Sequence, residues 1–142
     1  LSKMDLEILF EQLKDFEGLE LKPYRCTSDK LTIGLGRNLD DNGITEEEAY
    51  YLAENDIDNL MDELDRNIPW WTELNNPRKR ALLNMAYNVG TPTLMKFQKT
   101  LGLLESGQYE EASKEVLNSR WARQVGRRAD FISNVFLTGD DS

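Results

Sequence analysis

The 21 residues EGLELKPYRCTSDKLTIGLGR, Glu17 to Arg37, decide the fold and hold most of the chemistry legible in this chain. They follow directly on LEILFEQLKDF, in which Leu6, Leu9, Leu13 and Phe16 recur at helical spacing. Ser2-x-x-Asp5 has the form of a capping box and Gly18 supplies a stop, so a helix is predicted over residues 3–17. Glu17 then stands in the last turn, at the negative end of the helix dipole, where a carboxylate is disfavoured. If the site is also partly desolvated, its pKa is pushed upward, and a carboxyl still protonated near neutral pH can serve as a general acid.

Beyond the glycine the periodicity changes. Leu31, Ile33 and Leu35 alternate with Thr32, Gly34 and Gly36, the period of a half-buried strand. With the leucine face inward, Thr32 and the glycines face the open side, where a glycine lets a ligand approach the backbone. Thr27 to Lys30 form the preceding turn with Cys26 at its edge, so Glu17, Cys26 and Thr32 are expected to converge on one wall. A small antiparallel sheet is predicted over residues 19–44, with Pro23 at an edge or irregular position and Asn42-Gly43 at a turn.

The rest of the chain reads as helices. Thr45-x-x-Glu48 is a second capping box, followed by a stripe of Ala49, Leu52, Ala53, Ile57, Leu60, Met61 and Leu64 that runs to about Arg66. Asp56 interrupts the inward face of this stripe. A buried acid needs a partner, and Arg37 just beyond the sheet is the expected one; the alternative is a solvated Asp56 at the stripe's edge. Asn76-Pro77 reads as a cap with proline at the first helical position, opening the nearly all-apolar ALLNMAYNV, expected at the centre of a helical lobe. Thr91-Pro92 starts a brief helix, and Gly102 falls within the next pattern, which Gly107 ends. Tyr109, Ala112, Val116 and Leu117 mark another helix; Ser119 caps a short turn through Trp121, Gly126 punctuates, and Arg128 to Leu137 close the fold. No internal repeat or low-complexity tract interrupts this order.

Composition narrows the chemistry. At 142 residues, 39% hydrophobic and 30% charged, the chain has the make-up of a soluble globular domain, with no run long enough to span a membrane and no basic-then-apolar stretch of the signal-peptide kind. It contains no histidine, which removes Ser-His and Cys-His hydrolases and histidine-dependent zinc sites. A single cysteine rules out an internal disulfide. The net charge of −9 is uneven: residues 1–70 carry −11 and residues 71–142 carry +2. Nucleic acid is not an expected partner of such a surface.

Glu17, eight residues, Cys26, five residues, Thr32, and then Ile33-Gly34-Leu35-Gly36 together resemble the catalytic signature of the phage-type lysozymes, glycoside hydrolase family 24. The likeness continues in Asn84-Met85-Ala86-Tyr87-Asn88-Val89-Gly90, in Ser119-Arg120-Trp121 and in Gly126-Arg127-Arg128-Ala129. It implies one α+β, mostly α domain over residues 1–142. Helix 3–17 leads into a cleft between a β-containing lobe at 19–44 and a helical lobe at 67–142, with helix 45–66 joining them. Relatives often carry a longer insertion after the sheet, and a histidine paired to an acid where this chain has Arg37. The implied reaction is hydrolysis of the β-1,4 bond from N-acetylmuramic acid to N-acetylglucosamine in peptidoglycan, with inversion. A phage endolysin is the implied role, a monomer held in the host cytoplasm before release and acting on the wall. No metal or organic cofactor is implied. The alternative is a catalytically silent peptidoglycan-binding structural module on the same fold.

Under this resemblance Glu17 is the acid and Thr32 holds the attacking water. Cys26 stands where many relatives have a second carboxylate, and three roles stay open for it: water-positioning group, thiolate base or covalent nucleophile. Against these stands the usual part of a free cysteine, a small buried hydrophobe. Arg128 is the expected cation for Glu17. Asn88, Trp121 and Gly34 are expected to line or support the substrate wall, or, for the first two, simply to pack. Arg37 and Asp56 form the expected structural ion pair.

Overall fold

Helix α1 spans Lys3–Glu17, and both of its ends are set by side chains named above. The Ser2 hydroxyl accepts from the Asp5 amide while Asp5 accepts from the Ser2 amide, satisfying donors that a helix start leaves open. Gly18, at φ +78, turns the chain out of the helix. None of the residues of α1 is buried, so caps and helix-forming residues, not a buried stripe, hold it. The structure, a computed structural model, describes all 142 residues and divides into two units, Leu1–Tyr51 and Leu52–Ser142. It is α+β and mostly helical, as expected.

In the first unit a three-stranded antiparallel sheet follows α1: β1 (Glu20–Arg25), β2 (Leu31–Gly34) and β3 (Arg37–Asn38), in that spatial order. Thr32 pairs with Tyr24 on one side and Asn38 on the other. Pro23 lies on the edge strand β1, within the stretch where the register slips between Glu20 and Tyr24. An imino nitrogen cannot donate to the ladder, so both features suit it. The sheet is shorter than the expected 19–44. From Leu39 to Asn42 the chain instead forms a helical turn, α2, because Asn38 accepts from the Asp41 amide and caps it. The expected facing of β2 is also corrected. Thr32, at 3% exposure, is the buried residue, while Leu31 and Ile33 are half-buried. The Thr32 hydroxyl donates to Lys30 O at 2.8 Å and so carries no unmet donor inward.

Helix α3 (Glu46–Asn67) begins at the expected second capping box: Glu48 N donates to Thr45 Oγ1, and Thr45 N to Glu48 Oε1. Arg37 takes this same Glu48 as its partner, Nη1 to Oε1 at 2.9 Å and Nη2 to Oε2 at 2.7 Å. The expected pairing with Asp56 is therefore replaced. Glu48 is already anchored at the helix start and presents both oxygens to the flat guanidinium, the two-pronged geometry that arginine favours, whereas Asp56 is exposed. Nη1 also donates to Gly43 O at 3.1 Å, tying the loop before α3 to the sheet.

The Arg37 guanidinium, first through its hydrogen bonds, holds the Glu48 carboxyl down at about 2, from an ordinary value of 4.5. A depressed carboxyl contributes stability that is complete above the unfolded value and lost as pH falls through the folded one. The difference in melting temperature between the native chain and Glu48→Gln should therefore be full above about pH 5 and shrink toward pH 2. A difference independent of pH would contradict the pairing.

The second unit contains the core. A 3-10 turn (Pro69–Glu73) leads to α4 (Asn76–Val89), α5 (Thr91–Leu94), α6 (Gln98–Glu105), α7 (Tyr109–Leu117), α8 (Arg120–Val125) and α9 (Arg127–Thr138). Leu82 and Met85 of α4, Leu104 of α6, Val116 of α7 and Ile132, Val135 and Phe136 of α9 are sealed, together with Leu64 from the end of α3. Helices α7 and α9 meet across small residues, with Ser113 and Ser133 hydrogen-bonded at 2.6 Å, and Ser133 also bonds Ser113 O. The cap of α4 is Asn75, one residue before the expected Asn76: its Oδ1 accepts from Arg78 N. Arg78 donates to Phe136 O and Leu137 O, satisfying carbonyls near the end of α9, and stacks on Tyr109. Trp71 is buried, its indole donating to Asp65 at 2.7 Å. No helix is long and apolar enough to cross a membrane.

Candidate functional site

Glu17, Cys26 and Thr32 all belong to the first unit, and the hairpin β1–β2 brings the last two together. Its turn is tight: Asp29 N donates to Cys26 O, and Cys26 N to Lys30 O. Asp29 takes φ +59, a left-handed conformation that aspartate tolerates better than most residues. This closure folds the turn's own amides back over the thiol. The Cys26 pKa is lowered, first by the backbone amide of Lys30 and then by that of Ser28, against desolvation that raises it. Such an environment favours thiolate, the reactive form of the group.

Acidic residues of α2 brace the same turn. Asp40 Oδ2 accepts from Leu31 N at 2.7 Å and from Arg25 Nη1 at 3.3 Å, and Asp41 Oδ1 accepts from Lys30 Nζ at 3.2 Å. Asp40 and Asp41 were not singled out in the sequence. The signal available for them was Asn38-x-x-Asp41, a cap-like pattern that places two acids next to the turn.

Glu17 closes α1 as its last residue and is exposed. Its carboxylate lies over Gly36, in the β2–β3 turn: a methyl group built on Gly36 would stand 2.6 Å from Glu17 Oε2. Gly34, by contrast, has nothing within 4 Å of its corresponding position and presents an open face. The two glycines that alternation placed side by side thus differ in what occupies the space beside them.

The other expected site residues lie in the second unit. Trp121 is buried, its indole N–H donates to Asn88 Oδ1 at 2.7 Å, and its ring meets Phe97 edge-on. The indole is a donor only, so this bond fixes which way the amide faces, with Oδ1 toward Trp121 and the NH2 turned away from it. Asn88 is exposed and, with Trp121, lines a groove of about 780 Å³ that also receives Lys96, Gln98, Arg120 and Gln124. Trp121 thus supports and orients the Asn88 amide. Arg128 is held by Asn84, Nε to Oδ1 at 2.8 Å and Nη2 to the carbonyl at 3.0 Å. It borders a second groove of about 430 Å³ with Ala53, Ile57, Leu83 and Tyr87. No group of three or more His, Cys, Asp or Glu side chains is placed to hold a metal ion.

Comparison with known proteins points to one family. The family model described as phage lysozyme matches residues 14–134. A probable T4-type lysozyme of Dictyostelium discoideum is 30% identical over 160 aligned positions, covering 92% of this chain and 94% of that protein. The endolysin of Acyrthosiphon pisum secondary endosymbiont phage 1 is 30% identical over 120 positions, covering 82% of this chain and 80% of its own. The pre-baseplate central spike protein of Enterobacteria phage T4 is likewise 30% identical, over 92% of this chain, but the match spans only 28% of that protein.

Proposed function

The chain belongs to the phage lysozyme family of glycoside hydrolases, and from that premise we propose that it cleaves peptidoglycan at the β-1,4 bond between N-acetylmuramic acid and N-acetylglucosamine. One observation carries the reading: the acid at the end of α1 is seated on the β2–β3 turn, while the adjoining hairpin sets a thiol that favours its ionised form beside the Thr32 hydroxyl.

Glycoside hydrolysis needs a proton for the leaving oxygen and a nucleophile at the anomeric carbon. Glu17 gives its proton to the glycosidic oxygen as the bond to the anomeric carbon breaks. Thr32 has committed its hydrogen to Lys30 O, so its lone pairs are left to receive a water O–H. Cys26, as thiolate, takes the other proton as that water's oxygen bonds the anomeric carbon. The products are a reducing sugar, a Glu17 carboxylate and a Cys26 thiol, and exchange with solvent restores both groups. Attack by water from the face opposite the leaving group inverts the anomeric centre. In the second unit Asn88 offers its amide N–H groups to sugar hydroxyls or N-acetyl carbonyls, supported by Trp121, and Arg128 adds a fixed cation. The open face of Gly34 lets the glycan approach the backbone. Lysis of host cells, as a phage endolysin, is the proposed role, with the chain acting as a monomer.

The likeness to a central spike protein favours a second reading, a wall-binding structural module without turnover. Purified peptidoglycan separates the two. The proposed enzyme clears the turbidity of a sacculus suspension; a silent module sediments with the sacculi and leaves the turbidity unchanged.

A further inference from the structure

The contact between Glu17 and Gly36 assigns a job to a glycine that the sequence pattern leaves as one of two apparent ligand-facing positions. Gly36 has φ +85, so the side of its α-carbon that would bear a side chain faces Glu17. A methyl group there would lie 2.6 Å from Oε2, 3.1 Å from Cδ and 3.3 Å from Cβ of Glu17. The Glu17 side chain therefore rests on Gly36 through its carboxyl and its Cβ. This seat is fixed to the strand of Thr32, because β2 and β3 are in register through Thr32–Asn38 and Ile33–Arg37 on either side of the turn.

We propose that Gly36 is a positioning residue: its missing side chain is the space that holds the Glu17 carboxyl in line with the strand that carries Thr32. The proposal rests on the reading of Glu17 as the acid. A side chain at 36 forces the carboxylate to swing out, since the glutamate end is the flexible partner and the turn is not. The hydrogen-bonded strands cannot yield without breaking their register. Of Gly34 and Gly36, Gly34 alone keeps a face open to a glycan.

The test must separate this from simple backbone strain, because alanine at φ +85 is strained in any surroundings. Gly43 provides the control: it also has positive φ, +58, and nothing stands within 4 Å of its added methyl group. Gly36→Ala and Gly43→Ala should both lower the melting temperature. Gly36→Ala should in addition lose about 100-fold in kcat, the scale of a catalytic group misplaced by about 1 Å. Its KM should stay within about twofold, since substrate contacts are retained. Gly43→Ala should keep its kcat. The 13C resonance of the Glu17 side-chain carboxyl should move in Gly36→Ala and stay in place in Gly43→Ala. Equal kcat in the two variants, or an unmoved Glu17 resonance in Gly36→Ala, would overturn the proposal. If Glu17→Gln keeps its activity, the acid assignment fails by itself, and the carboxyl resonance still reports whether Gly36 seats the side chain.

Discussion

Glu17→Gln is expected to lose at least about 1,000-fold in the rate of sacculus clearing, within the range attributed to general acid catalysis. The amide keeps the shape of the side chain, so its fit on Gly36 survives and the melting temperature should hardly change. What disappears is the transferable proton: an amide N–H does not protonate a leaving oxygen near neutral pH. Native circular dichroism with no clearing is the expected pair of results. Clearing at a near-normal rate would remove Glu17 from the mechanism.

The second large effect is at Cys26. Its thiol is held below its ordinary value, first by the Lys30 amide and then by that of Ser28. A group of lowered pKa keeps its ionised form down to lower pH, so the thiolate-dependent limb should fall away on the acidic side of the range usual for thiols. Cys26→Ser should lose most of the activity, about 100-fold or more, because a serine hydroxyl positions water but hardly ionises near neutral pH. Cys26→Asp should retain a substantial part, since a carboxylate accepts the proton in the same place. Alkylation should inactivate the enzyme and bound glycan should protect it, as the thiol is partly accessible. If Cys26→Ser matched the native rate, the cysteine would only position water or pack, and Thr32 would be left to hold the nucleophile.

Much of this architecture is legible in local sequence because local residues enforce it. Ser2 with Asp5, Thr45 with Glu48 and Ser119 each satisfy helix donors three residues on, so helix starts follow from short spacings. Gly18 and Gly126 end or punctuate helices with positive φ. The errors lie where a residue's environment is made by distant parts of the chain. Alternation shows that β2 has two faces, but in a four-residue strand it does not say which face is covered; Thr32 turned out to be the covered one. Arg37 was matched to Asp56 on the premise that a buried acid needs a cation. The acid already pinned at the capping box, Glu48, was the better-prepared partner. Glu17 and Gly36 stand 19 positions apart in the chain, and no short pattern shows that one rests on the other. The pairing of Trp121 with Asn88 spans 33 residues and likewise depends on tertiary packing.

The most direct measurement is the chemistry of the ends released when the native chain digests purified peptidoglycan. Products are separated and weighed by mass spectrometry, and the anomer first formed is followed by proton NMR. The account predicts glycan fragments that end in reducing N-acetylmuramic acid, each carrying one added water, with the α anomer appearing first. Fragments ending in N-acetylglucosamine, anhydro ends without the added water, or intact sacculi coated with bound protein would contradict it.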